Sequence, residues 1–171
     1  MLNDIKKNYY ILGVDASRER IIQAKEGKYK HWSIRHLSST EINKYFEVKN
    51  NFYYVKDEYK KNVEFKTDNI TNTIKTNDKY DIIIIRRVLI YFNNEQIIKI
   101  LRSLNRILNN DGILILGHGE FYPILPEIFN FEIENKIVIW KKYNKSNSIN
   151  IFPFKDEKNN ILKKIFPILI L

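Results

Sequence analysis

The chain has 171 residues, enough for one domain to bury a core without covalent staples. It contains no cysteine, which excludes disulfide frameworks, Cys-based zinc sites and thiol catalysis. Its net charge of +9 comes mostly from lysines spread along the chain, with no stripe or arginine cluster, so charge alone does not point to nucleic acid. No run approaches the ~18 apolar residues of a membrane span. The opening MLNDIKKNYY has neither an apolar core nor a small-residue cleavage site. A cytoplasmic protein without membrane insertion is expected. Glycine is scarce, at 5 residues, which leaves little room for a glycine-rich phosphate loop.

In chain order, Ile11–Asp15 reads as a short buried strand ending in an acid. Ser17 caps the next helix, with Arg20 rather than Glu at the capping-box position, and Gly27 ends that helix. Residues 28–61 are aromatic and mixed, with a short helix near 39–46 and a short strand near 52–55. Val63–Phe65 is a strand feeding the polar Asp68-Asn69. Tyr80–Ile85 carries four consecutive isoleucines, so both its faces are buried, as in a parallel sheet covered by helices. Asn93 or Asn94 caps a helix in which Ile97, Ile100, Leu101, Leu104, Ile107 and Leu108 follow a 3.6-residue period. Asn109–Gly112 is a turn, and Ile113–Leu116 is another buried strand. Pro123 and Pro126 break the chain, and residues 131–140 read as a hairpin turning at Asn135-Lys136. The pattern is α/β, with a mainly parallel sheet and an antiparallel finish. Residues 144–160 are a polar linker, and 161–171 are apolar but interrupted by Pro167. That last segment either docks on the domain, pairs with a partner or forms a tail.

Ligands of open α/β sheets sit beyond the carboxyl ends of the strands. Asp15, Asp68-Asn69, Arg86-Arg87 and His118–Glu120 lie at such ends. Asp15 either bonds a ribose hydroxyl pair or is a loop acid near a helix N-terminus. Asn69 either reads an adenine edge or occupies an ordinary turn. Arg86, if buried, requires an anion or a carboxylate. Tyr91 either points its hydroxyl into a pocket or packs in the core. His118 stands alone and reads as structural, and no metal site is expected.

Taken together these blocks resemble the chemotaxis receptor methyltransferase family (CheR type). The family pattern of a strand, an Asp segment and A-x-x-G-x-Y is matched by Val14–Ser17 and Ala24–Tyr29. A YF segment is matched by Tyr45-Phe46, and V-x-F-x-x-x-N-L by Val63–Ile70. The distinctive C-R-N-V-L-I-Y-F block is matched by Ile85–Phe92, and G-H-S-E by Gly117–Glu120. The resemblance runs from about residue 2 to 143, with the blocks in order. It implies a class I S-adenosylmethionine (SAM) methyltransferase sheet, Rossmann-like, and methyl transfer to glutamate carboxylates of chemotaxis receptors. It further implies that Asp15 holds the adenosyl ribose, Asn69 and Ile70 contact the adenine region, Arg86 and Arg87 line the cofactor site, and Tyr91 lies near the transferred methyl.

Three departures stand out. The family's Asn is Arg87, its Cys is Ile85, and its Ser is Gly119. A cation beside a sulfonium is unfavourable, so Arg87 turns away or weakens cofactor binding. The family's N-terminal helical domain, first strand and glycine-containing cofactor loop have no counterpart, and Met1-Leu2 aligns with the end of that loop. The expectation is therefore a truncated member. Residues 1–143 form a partial catalytic domain, and 144–171 form a linker and tail. The sheet lacks its first central strand, between the strands ending at Asp15 and Arg86. SAM binding by the isolated chain is weak or absent. The two exposed edges aggregate, close on each other or pair with a separate N-terminal fragment. The partners are the cytoplasmic helices of chemotaxis receptors. The alternatives are a catalytically dead receptor-binding module and a gene remnant without function.

Overall fold

The computed structural model describes residues 9–134, 137–142 and 166–170. Parallel pairing starts with β1 (Tyr9–Asp15) and β5 (Val63–Thr67), in register from Ile11 opposite Val63 to Asp15 opposite Thr67. Farther along the sheet, β6 (Tyr80–Ile85) pairs in parallel with β7 (Leu108–Leu116). Ile83 and Ile85 are completely buried and Ile82 and Ile84 half-buried, so the isoleucine run does cover both faces. The sheet finishes as expected with a hairpin, β8 (Phe129–Glu134) and β9 (Ile137–Lys142), and β9 runs antiparallel to β7. The hairpin's predicted turn residues, 135–136, lie outside the described residues.

The predicted turn at Asn109–Gly112 survives as an interruption within β7. Tyr80 is level with Leu108, yet Ile82 is already level with Ile113. Residues 109–112 thus bulge out, and Asn109 Nδ2 donates to Asp81 Oδ1 at 2.8 Å across the gap.

One expectation is corrected. The strand order is β5-β1-β10-β6-β7-β9-β8, where β10 is Phe166–Ile170. The central position between β1 and β6 is not missing: the chain's own late segment fills it, parallel to both neighbours. Of the fates open to the apolar 161–171 stretch, residues 166–170 dock. The physical reason is the pair of apolar edges. A strand buried on both faces needs a neighbour on each side, and a slot between two such strands accepts only an apolar extended run. Phe-Pro-Ile-Leu-Ile is such a run.

Helices are set by local signals. α1 (Arg18–Glu26) starts at Ser17, whose Oγ accepts from Arg20 N at 3.3 Å, and ends at Gly27 with φ 66°. α5 (Asn94–Ile107) begins with a reciprocal box. Asn93 Oδ1 accepts from Gln96 N at 2.9 Å, and Gln96 Oε1 accepts from Asn93 N at 3.0 Å. Its Ile97, Ile100, Leu101, Leu104 and Ile107 join Ile83, Leu114 and Phe129 in the main core. Asn93→Ala is expected to cost about 1 kcal/mol in a denaturant melt.

The aromatic region folds apart as a small antiparallel sheet. α2 (His31–Ile34) and α3 (Ser39–Tyr45) are interleaved with β2 (Lys28–Tyr29), β3 (Phe46–Lys49) and β4 (Phe52–Val55), in the order β2-β4-β3. Asn50 and Asn51, at φ 50° and 62°, turn β3 into β4. Tyr29 packs edge-on against Phe46, and Tyr45 against Tyr59, so these aromatics build this sheet's own packing.

At the outer edge, Tyr10 Oη on β1 donates to Glu64 Oε2 on β5 at 2.5 Å. The Glu64 carboxylate, first through this bond and then with burial, pushes the Tyr10 phenol up to about 12 from its ordinary 10.0. A raised folded value means that the bond's stabilisation is complete below pH 10 and is lost as pH rises through about 12. Tyr10→Phe is expected to flatten that alkaline loss, read by urea melts across the same window.

Candidate functional site

All the parallel strands deliver their carboxyl ends to one edge of the sheet, and Asp15, Asn69, Arg86 and Arg87 lie at or just past those ends. Asp15 ends β1, and its main-chain oxygen accepts from Asp68 N at 3.1 Å, which ties the β1 and β5 ends together. Asp15 is exposed, and its Oδ1 accepts from Ser17 N at 2.7 Å. Its Oδ2 has no partner among the described residues. Asp68 is held by Lys66 Nζ at 2.9 Å, and this ammonium keeps its carboxyl below the usual carboxylate range.

Asn69 caps the short α4 (Ile70–Thr73). Its Oδ1 accepts from Thr71 N at 3.0 Å and from Thr71 Oγ1 at 3.1 Å. The acceptor end of the amide is thereby occupied, and the Nδ2 donor is the end that remains for a ligand. Ile70 is buried in the core cluster beside Val14 and Ile74. Its side chain packs the sheet, so only its main chain faces this edge's chemistry.

The ends of β6 and β7 are fastened by a carboxylate. Arg87 N donates to Glu120 Oε1 at 2.9 Å and to Oε2 at 3.1 Å, and Gly117 N donates to Oε2 at 2.7 Å. Arg87 takes a left-handed φ of 56°, a conformation that costs a non-glycine residue of order 1 kcal/mol. The Glu120 clamp holds it there. A Cβ at Gly117 would lie 2.2 Å from Glu120 Oε2 and 2.9 Å from Arg86 Cγ, so only glycine fits beneath both. Arg86 lays its stem over Gly117 and is exposed, so burial, the condition under which it would require an anion or a carboxylate, does not arise. Tyr91 sits on a 3₁₀ turn (Leu89–Tyr91) anchored by the fully buried Leu89, and is 81% exposed, so it is not core packing. His118 is exposed.

Nothing in the sequence marks Glu120 as the residue that joins two strand ends. The only hint is a carboxylate three residues after a glycine in the Gly117–Glu120 block. Two clefts, about 320 Å³ (Gln23, Lys28, Lys30, Trp32, Ser33, Phe52) and about 370 Å³ (Lys25, Lys60, Val63, Glu64, Phe65), lie elsewhere, and no residue of this edge lines them. Asp15, Asn69, Arg86, Arg87 and Tyr91 are each exposed.

Residues 1–138 match the family model described as CheR methyltransferase, SAM binding domain. The chain belongs to the CheR methyltransferase family. It is 34% identical over 119 residues to a chemotaxis protein methyltransferase of Campylobacter jejuni, covering 68% of this chain and 45% of that protein. It is 31% identical over 128 residues to chemotaxis protein methyltransferase 1 of Pseudomonas aeruginosa, covering 74% and 47%. It is 28% identical over 153 residues to chemotaxis protein methyltransferase 2 of Vibrio cholerae, covering 88% and 51%. The chain spans about half the length of the curated relatives it matches.

SAM is the cofactor of this CheR domain, and the edge can be tested against its chemistry. An exposed carboxylate with an open oxygen (Asp15 Oδ2) suits a diol, and a free amide donor (Asn69 Nδ2) suits a ring nitrogen. Two exposed guanidiniums, Arg86 and Arg87, suit a carboxylate far better than a sulfonium. The residues thus fit the adenosyl and carboxylate ends of the molecule. No helix among the described residues is long and apolar enough to cross a membrane.

Proposed function

We propose that this chain carries SAM-dependent methyl transfer to glutamate carboxylates of chemotaxis receptors, in the cytoplasm, with receptor cytoplasmic helices as partners. The observation that supports this most is that Asp15, Asn69, Arg86 and Arg87 follow the carboxyl ends of strands along one edge of a mainly parallel sheet, in a chain that matches the CheR SAM-binding domain. Residues 1–143 make the methyltransferase unit, with 166–170 completing its sheet and the rest of 144–171 serving as a linker.

Bound SAM supplies a methyl group activated by a sulfonium, ready for a carboxylate that is already ionised. The protein's work is therefore alignment and exclusion of water rather than proton transfer. Asp15 accepts the ribose hydroxyls through Oδ2, while Ser17 N fixes the other oxygen. Asn69, held by Thr71, donates to the adenine edge. Arg86 and Arg87 take the methionyl carboxylate, which is where their charge favours binding. Ile70 backs the adenine segment by packing α4 on the sheet. Tyr91, exposed on a rigid turn, orients the incoming carboxylate.

Because these side chains are exposed rather than buried, SAM binds this chain weakly. Titration calorimetry with SAM is expected to give a dissociation constant above about 100 μM, and Asp15→Asn a further tenfold loss, about 1.4 kcal/mol. A tight isotherm, or one unchanged by Asp15→Asn, overturns this assignment. A second reading, a receptor-binding module without catalysis, applies if the Arg87 guanidinium faces the sulfonium rather than the carboxylate. Receptor pulldown with no radiolabelled methyl transfer would establish it.

A further inference from the structure

The cleft of about 320 Å³ lies where α1 meets the small sheet. Its walls are Gln23 of α1, Lys28 of β2, Lys30, Trp32 and Ser33 at α2, and Phe52 of β4. None of these six is acidic. Trp32 is the anomaly. It is 72% exposed, whereas the chain's other tryptophan, Trp140, is 4% exposed. Arg35 lies over the indole with its guanidinium 3.8 Å from the ring centre, and Arg35 is not part of the cleft wall. The cleft therefore meets the part of the indole that Arg35 leaves free. Lys28 Nζ lies 4.2 Å from the centre of the Phe52 ring and 5.9 Å from that of Tyr54. A ring holds an ammonium in place without neutralising it. Neither Lys28 nor Lys30 forms an ion pair among the described residues. Gln23 Nε2 donates to the Lys28 main-chain oxygen at 3.5 Å, which leaves Gln23 Oε1 as an acceptor.

We propose that this cleft is a binding site for a nucleoside monophosphate, separate from the strand-end edge. The chemistry of the occupant follows from the walls. Two ammoniums without a carboxylate partner select an anion. An open indole selects a flat ring, and every nucleobase has a face that stacks on an aromatic side chain. Gln23 Oε1 and Ser33 Oγ add an acceptor and a hydroxyl for the sugar or the base edge. Ligand clefts run from about 300 to 1,000 Å³, so this one, at the small end, takes one nucleotide rather than two. An acidic peptide would bring carboxylates spaced along an extended chain, whereas the two ammoniums here share one compact wall with the ring. None of these residues is used in the methyl-transfer reading, so the inference stands apart from it.

The test uses the full-length chain and adenosine monophosphate (AMP), followed by calorimetry and by tryptophan fluorescence. Trp140 is buried, so quenching on addition of AMP reports Trp32. Saturable binding is expected, with a dissociation constant below about 1 mM. Adenosine, which lacks the anion, and ribose 5-phosphate, which lacks the ring, should each bind about tenfold more weakly. Added salt should weaken AMP binding and leave adenosine unmoved. Trp32→Leu should weaken AMP about tenfold by calorimetry, the size of one stacking contact. Lys30→Gln should weaken AMP and reduce its salt dependence. Both residues are exposed, so neither variant should change the thermal transition. Asp15→Asn should leave AMP binding unchanged. Absence of saturable binding, equal binding of AMP and adenosine, or no effect of Trp32→Leu overturns the proposal. Loss of AMP binding in Asp15→Asn assigns the nucleotide to the strand-end edge and also overturns it. So does tighter binding of the peptide acetyl-Glu-Glu-Phe-amide than of AMP, which assigns the cleft to an acidic peptide.

Discussion

Truncation after Ile165 is expected to abolish the cooperative thermal transition. β10 is the middle of the sheet, with β5 and β1 on one side and β6, β7, β9 and β8 on the other. Its removal separates the two halves and exposes the facing edges of β1 and β6 along Tyr9–Gly13 and Ile82–Ile84. Each lost main-chain bond is worth only about 0.5–1.5 kcal/mol net. The apolar surface uncovered with them is additional, and the sum is of the order of the whole stability of a domain, about 5–15 kcal/mol. Circular dichroism should show a broad, shallow melt, and a dye that binds exposed apolar surface should fluoresce. A sharp transition within a few degrees of the intact chain would mean that β1 and β6 pair directly, and that β10 is not structural.

Glu120→Ala is expected to cost about 2–4 kcal/mol, because two main-chain N–H groups, of Arg87 and Gly117, lose charge-assisted bonds at once. Arg87 then has nothing to hold its left-handed backbone. Gly117→Ala should destabilise by a similar amount, since the new Cβ would sit 2.2 Å from Glu120 Oε2. The two should not add. Once Glu120 is alanine, the nearest atom left to the added methyl is Cγ on the flexible stem of Arg86, at 2.9 Å. A double-mutant cycle in urea should therefore show a coupling above about 1 kcal/mol. Additive costs would mean that the clamp and the glycine act independently.

Most of the large sheet is legible in the sequence because its signals are strong and local. The isoleucine run of β6, the 3.6-residue period of α5, Ser17, Gly27 and Asn93 each specify their element through burial or a cap. That Asp15, Asn69 and Arg86 follow strand ends at one edge is also legible, from the order of strands and helices. What is not legible depends on distant pairing. A five-residue segment broken by Pro167 looks like a tail until β1 and β6 are seen to need it. The small sheet is built from strands too short to show a period, although Asn50-Asn51 is a hairpin signal in plain view. The burial of Ile70 and the clamp of Glu120 arise only when separate strand ends meet.

The place of β10 also bears on the order in which this chain can fold. Tyr9 is paired with Phe166, nearly the full length of the chain away. The β6–β7 half and the β1–β5 half each close over shorter separations. During synthesis from the N-terminus, both halves leave the ribosome well before the strand that joins them. The growing chain therefore passes through a stage with two apolar sheet edges open to any neighbour. A fold with its keystone last is slow to complete and is most vulnerable to aggregation just before it is finished.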